Sequence, residues 1–192
     1  DTTGHGTHTM GTMVGGDGPG PFTPDVGVAP GARWIAAKGC EDISCSEGAL
    51  LSAGQFILAP TDLAGANPDP GRRPDIVNNS WGGGQADLWY EQVVTAWRAA
   101  GIFPVFSAGN DGPACNTASS PGDYPGVYTV GAHDVDGTVA GVSSRGASGV
   151  DGHITPDIAA PGVGTVSALP GSQYGTADGT SMAAPHVAGT VA

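Results

Sequence analysis

Three short loops hold residue types that could do chemistry. In the first, Gly4-His5-Gly6-Thr7-His8, a histidine opens a helical pattern with glycine on either side. Little bulk shields such a ring, and neutral imidazole takes up a proton near neutral pH, which suits a general base. His5 and His8 stand at i, i+3 on one helix face, but no Glu or Cys follows at ligand spacing, so a metal pair is not indicated. In the second loop, Ser107-Ala108-Gly109-Asn110-Asp111-Gly112, a carboxamide follows directly on the apolar run Ile102–Phe106. At the end of a buried strand it could aim its NH₂ at a developing oxyanion, although Asn beside Gly equally marks a turn. The third is Gly179-Thr180-Ser181-Met182-Ala183-Ala184-Pro185-His186. A serine in the first turn of a helix lies near unpaired backbone N–H groups and the positive end of the helix dipole, which stabilise an oxyanion formed when the serine attacks a carbonyl. Thr180 or Ser181 could equally be a plain N-cap. His186 falls five residues after Ser181, about 140° round the helix axis, and reads as a packed side chain rather than a base.

These loops need elements to hold them, and the pattern supplies an alternation. Residues 5–15 read as a helix, 33–38 (RWIAAK) as a strand, and 46–59 as a helix with Ser46 as N-cap and Leu50, Leu51, Gly54, Ile57 and Leu58 on one face. Residues 75–79 read as a short buried strand, and 87–100 as a helix capped by Asp87 and ended by Gly101. Strands follow at 102–106 and 127–132, with short pieces near 139–142 and 157–159, and the pattern turns helical again from Thr180. Strand, helix, strand, helix, strand predicts an α/β fold with a mainly parallel sheet between helical layers, and such folds place function at the carboxyl ends of their strands. No internal repeat or linker breaks the 192 residues, which read as one domain.

Composition narrows the function classes. Six Lys and Arg against 18 Asp and Glu give a net charge of -12. Nucleic-acid binding needs clustered cations to replace phosphate counterions, so that partner is excluded. The longest apolar runs are far too short to cross a bilayer. Gly 34 and Pro 16 make up about a quarter of the chain, but the apolar residues gather in runs bounded by these two types, as in short buried strands joined by tight turns. Cys40 and Cys45 flank a four-residue loop that could close a small disulfide, in keeping with an oxidising compartment and an exported enzyme; Cys115 is left over. No cysteine spacing resembles a zinc site. The chain begins Asp1-Thr2-Thr3 and ends in an apolar helical pattern at Ala192, so it reads as an internal piece of a longer protein.

The strings GHGTHTMGT, SAGNDGP and GTSMAAPHVAG, in this order, resemble the subtilisin-like serine proteases, from Gly4 to Ala192. Asn79-Ser80-Trp81-Gly82 and the stretch from Tyr124 to Ala132 join the resemblance, and WIAAKGC…LLSAGQFILAP is similar to the bacillopeptidase F branch. The resemblance implies a three-layer α/β/α fold, here cut at both ends. It implies a serine endopeptidase with His5 as general base, Ser181 as nucleophile, and Asn110 with the Ser181 N–H as oxyanion donors. It makes Ser80, Trp81, Gly82 and Ser107, Ala108, Gly109 the segments that bind substrate and wall the primary specificity pocket. The partner would be a protein or peptide in extended conformation, added as an extra strand, with a propeptide as a further partner. The chemistry requires no cofactor, and localisation would be extracellular.

The sequence departs from the family pattern in its catalytic Asp, which belongs on a strand some tens of residues before the His. Asp1 is four residues from His5 and is not assigned that part. The Asn-rich calcium loop of some members is not recognisable either, and Asp17 and Asp25 alone do not define a calcium site. Two other classes fit the sequence less well. An α/β-hydrolase esterase needs Gly-x-Ser-x-Gly and a Ser that precedes its His, and neither holds here. A non-catalytic subtilase-like binding module would not need His5, Asn110 and Ser181 all intact.

Overall fold

The computed structural model describes residues 1–16, 25–41 and 44–192. Its centre is a four-stranded parallel sheet of β1 (Ile76–Asn79), β2 (Phe103–Ser107), β3 (Tyr128–His133) and β6 (Ile158–Pro161), in the order β1-β2-β3-β6. Register runs Val77 to Pro104, Val105 to Tyr128 and Ala132 to Ala160. Between β3 and β6 lies a small antiparallel pair, β4 (Gly146–Ala147) with β5 (Ile154–Thr155). A hairpin of β7 (Thr165–Leu169) and β8 (Gln173–Ala177) follows β6.

Successive residues of a strand face opposite sides, and β2 shows what each side buries. Phe106 joins a cluster with Leu50, Ile57, Tyr90, Val94, Trp97 and Tyr124, contributed largely by helices α2 (Glu47–Leu58) and α3 (Glu91–Ala99). Val105 joins Val130, Ala132 and Ala160 beneath Ala183, Ala184, Val187 and Ala188 of helix α4 (Thr180–Val191). Small side chains on that face let α4 lie close across the sheet, and helix α1 (His5–Val14) packs outside it, against α4 and β7. The result is the expected three-layer α/β/α arrangement. On the first face Gly54 brings α2 and α3 together, since a Cβ there would stand 2.6 Å from Val93 Cγ1 and 2.7 Å from the Tyr90 hydroxyl. Two of the large polar-tipped aromatics find partners on α2: Trp97 Nε1 donates to Gly54 O at 3.0 Å and the Tyr90 hydroxyl to Leu50 O at 3.0 Å.

Several expected elements fall elsewhere. Residues 33–38 are not a strand; they pair with no ladder among the described residues, and Trp34 and Ile35 are exposed. An extended segment without a neighbour has no bonds to hold it as sheet. Helix α3 begins at Glu91 rather than Asp87, because Asp87 spends its polar groups on tertiary contacts: its N–H donates to Ser120 Oγ and its carbonyl accepts from the Tyr124 hydroxyl. Residues 139–142 contribute a single bridge, Val139 to His133. Leu51 turns out of the α2 face and is exposed, whereas Ser46 caps α2 as expected, accepting from Ala49 N at 3.2 Å. Cys40 and Cys45 form a disulfide, and Cys115 is free and exposed.

Candidate active site

Ser80 follows the last residue of β1, and Ala108 to Asn110 follow the last of β2, so both loops emerge at carboxyl ends of the parallel strands. Helix α4 starts between them. Its N-cap is Gly179, at φ 139° and ψ 168°, a backbone conformation that side chains exclude. No side chain caps α4 from that position; the helix start is held from across the loop instead. Thr180, wholly buried, donates its N–H to Asn110 Oδ1 at 2.9 Å. Its hydroxyl accepts from Gly109 N at 3.2 Å and faces Gly109 O and Asn110 Oδ1, both at 3.1 Å. The carbonyl end of the Asn110 amide is thereby committed to the helix start, which fixes where its NH₂ end lies. Ser181, in the first turn, lies beyond reach of the helix's own acceptors for its N–H. Its Oγ donates to Ser80 O at 3.3 Å, and the Ser80 hydroxyl donates back to Ser181 O at 2.8 Å.

His5 is the first residue of α1 and is exposed. The protein around its ring still desolvates it, and this, with the like charge of His8, lowers its pKa below the ordinary 6.5. Asp1 serves the helix rather than the ring: one oxygen accepts from Gly4 N at 3.1 Å, the other from Thr7 N at 2.6 Å and the Thr7 hydroxyl at 2.8 Å. His8 is buried and anchors α1 to the hairpin, with Nε2 3.0 Å from Thr165 O and 3.2 Å from Gly175 O, while Ser167 Oγ donates to His8 O at 2.8 Å. Two carbonyls at one nitrogen mean that Nε2 carries the proton, so His8 has no lone pair there for a metal. The two helices touch where a Cβ on Gly189 would stand 3.0 Å from Met13 O. Met13 lies as many residues after His5 as Gly189 lies after Ser181. His186 Nδ1 donates to Met182 O, one turn back in its own helix, at 2.9 Å.

The two flanking segments differ in what they present. Trp81 turns its ring into the core, edge-on to Tyr90 at 5.0 Å and Phe106 at 5.7 Å, so the Ser80–Gly82 segment offers backbone outward. Ser107 and Ala108 are buried, and the Ala108 backbone is already used, its N–H on Val130 O and its carbonyl on Ser119 N. Gly82 and Gly109 both back onto residues 119–120: a Cβ on Gly82 would stand 2.9 Å from Ser120 O, and one on Gly109, at φ 104°, would strike Ser119 Oγ. Asp123, in the turn that follows residues 119–120, is wholly buried and accepts from Ala86 N at 2.7 Å. Asp17 lies outside the described residues, and Asp25 is exposed. Sequence reasoning missed the part played by Thr180 and by Asn78, whose Nδ2 donates to Ser80 Oγ at 3.0 Å. The one signal in that neighbourhood was Pro185, which removes a helix donor that the Ser80 hydroxyl replaces.

Residues 1–192 match the profile of the subtilase family, peptidase S8, over their whole length. The chain belongs to the subtilase family. It is 47% identical over 200 residues to bacillopeptidase F of Bacillus subtilis (strain 168), covering all of this chain and 14% of that protein. It is 36% identical over 194 residues to subtilisin DY of Bacillus licheniformis, of which it spans 63%. The solved structure of the prenylagaramide maturation protease PagA superposes with a TM-score of 0.77 at 27% identity, over 98% of this chain and 63% of that one. Subtilases are serine proteases, and this subtilase is most like bacillopeptidase F among the relatives named here.

Proposed function

We propose that this chain carries the reacting half of an exported serine endopeptidase that works through an acyl-enzyme. Ser181 Oγ attacks the scissile carbonyl, and His5 takes its proton and returns it to the leaving amine. Asn110 Nδ2 and the Ser181 N–H receive the oxyanion. The carboxylate that orients the imidazole comes from outside these 192 residues. The observation that carries the reading is the clasp at the start of α4, where Thr180 holds Asn110 Oδ1 at 2.9 Å and Ser181 has a first-turn N–H without an intrahelical acceptor beside its own hydroxyl. The side-by-side packing of α1 and α4 supports pairing His5 with Ser181. The occupation of both Asp1 oxygens by the α1 start supports an outside source for the carboxylate.

Substrate lies extended along Ser80–Gly82, whose outward backbone suits β-addition, and Gly82, Gly109 and the 119–120 turn wall the primary pocket. With Asp123 buried, that pocket suits apolar or aromatic residues. The Cys40–Cys45 disulfide supports an oxidising, extracellular setting. A propeptide outside this stretch is a further partner. The test is rapid mixing of a chain extended upstream, to the length of its relatives, with a chromogenic ester. A burst equal to one acyl group per Ser181, absent from His5→Ala and Ser181→Ala, is expected. No burst, with peptide still bound, would leave a binding module.

A further inference from the structure

Proline in a helix interior removes the N–H that would bond four residues back. In α4 that residue is Pro185, and the carbonyl it deprives is that of Ser181. The deprived oxygen is satisfied from another element: the Ser80 hydroxyl, at the end of β1, donates to it at 2.8 Å. A serine hydroxyl has one proton and must be turned to give it in the right direction. Asn78 does the turning, since its Nδ2 donates to Ser80 Oγ at 3.0 Å and leaves the hydroxyl proton only an outgoing role. Asn78 Oδ1 is buried and has no partner among the described residues, so Ser80 is the amide's one engagement. The chain of donors therefore runs from Asn78 to Ser80 to the backbone of Ser181. The return bond from Ser181 Oγ to Ser80 O, at 3.3 Å, closes a two-point grip.

We infer that Asn78 and the Ser80 hydroxyl are positioning residues, which set the backbone of Ser181 by replacing the helix bond that Pro185 withholds. This rests on reading Ser181 as the nucleophile. The role is distinct from substrate binding, because an extended substrate would use the backbone of Ser80 and not its hydroxyl. A nucleophile whose peptide is held only by its own helix could shift along the axis; one tied to a strand end keeps its place relative to Asn110, in the loop after the neighbouring strand. Small displacements at such a centre cost rate rather than affinity.

The experiment measures ester and peptide hydrolysis by the upstream-extended protein and its variants, with thermal unfolding recorded alongside. Ser80→Ala should lower kcat roughly 5–20-fold, the loss of one well-placed hydrogen bond, with KM little changed. On a Pro185→Ala background, where residue 185 regains its N–H and can bond Ser181 O itself, Ser80→Ala should cost less than about twofold. Asn78→Asp, which is isosteric but only accepts, should turn the Ser80 proton away and cost as much as Ser80→Ala; Asn78→Ala should cost less. A purely structural role would move unfolding temperature without this coupling. Equal cost of Ser80→Ala in both backgrounds, or an Asn78→Asp variant with unchanged kcat, would overturn the inference. If the unsubstituted protein gives no acyl burst, the nucleophile reading fails and takes this one with it; a full burst at normal rate in every variant sinks the positioning role alone.

Discussion

Gly179→Ala separates a stability effect from a catalytic one at a single atom. Residue 179 sits at φ 139° and ψ 168°, a region open essentially to glycine alone, so an alanine there carries about 1–3 kcal/mol of backbone strain. For a chain of this length that corresponds to a fall in unfolding temperature of roughly 2–12 °C. The added Cβ would also stand 3.3 Å from Asn110 Oδ1 and 3.5 Å from its Nδ2. The amide cannot simply retreat, because Thr180 N and Oγ1 hold Oδ1 at 2.9 and 3.1 Å. It must swing by a few tenths of an ångström, carrying the donor nitrogen off its line. Complete loss of such a donor costs about 10²–10³ in kcat, a figure established for subtilisin itself. A displaced donor should forfeit part of that, at least roughly tenfold. The assay is steady-state peptide hydrolysis and thermal unfolding of Gly179→Ala in two backgrounds. With Asn110 present both kcat and melting temperature should fall; with Asn110→Ala already made, the melting temperature should still fall while kcat changes less than about twofold. A kcat loss of the same size in both backgrounds would refute the reasoning, because the methyl group would then act on something other than Asn110.

Three further outcomes are expected. Asn110→Ala alone should lower kcat by about 10²–10³ with KM little changed, and a raised KM at constant kcat would make Asn110 a substrate-binding residue. A peptide library should show cleavage after apolar or aromatic residues, since the Asp123 carboxylate is buried on Ala86 N; dominant cleavage after Arg or Lys would contradict this. Desolvation disfavours the imidazolium of His5, so in residues 1–192 its NMR titration should lie below 6.5, and its protonation should cost stability as pH falls through that range. Adding the upstream carboxylate should raise the midpoint, and no upward shift would count against its contact with His5.

What the sequence disclosed, it disclosed where function is written contiguously. The loops around His5, Asn110 and Ser181 each hold their candidate residues within a few positions, so the three strings together pointed to a family although each alone also read as a plain turn or cap. Ser46 was legible for the same reason, a local cap bonding a local N–H. The hairpin of β7 and β8 was not, because its pattern is inverted: Thr165 and Ser167 face inward and Val166 outward, since Ser167 Oγ and the Thr165 carbonyl are needed to hold His8. Asp87 looked like a cap until Ser120 and Tyr124 claimed its backbone. The strand expected at 33–38 has the right residues and no neighbour, and a ladder partner is not a property of the segment itself. The Asn78–Ser80–Ser181 chain joins residues about a hundred positions apart, and only Pro185 hinted that a donor was owed.

In the proposed mechanism, Ser181 and His5 form a reactive pair completed by a carboxylate from outside residues 1–192. Its most direct test compares fluorophosphonate labelling of residues 1–192 with that of the upstream-extended chain, with the labelled residue located by peptide mass spectrometry. The extended chain should label rapidly and only at Ser181, and lose labelling in His5→Ala. Residues 1–192 should label more slowly by something on the order of 10⁴, the cost of losing the orienting carboxylate in a serine-protease triad. Labelling of Ser181 in the shorter chain at the rate of the longer one would contradict the account, because the carboxylate would then be dispensable or supplied from within.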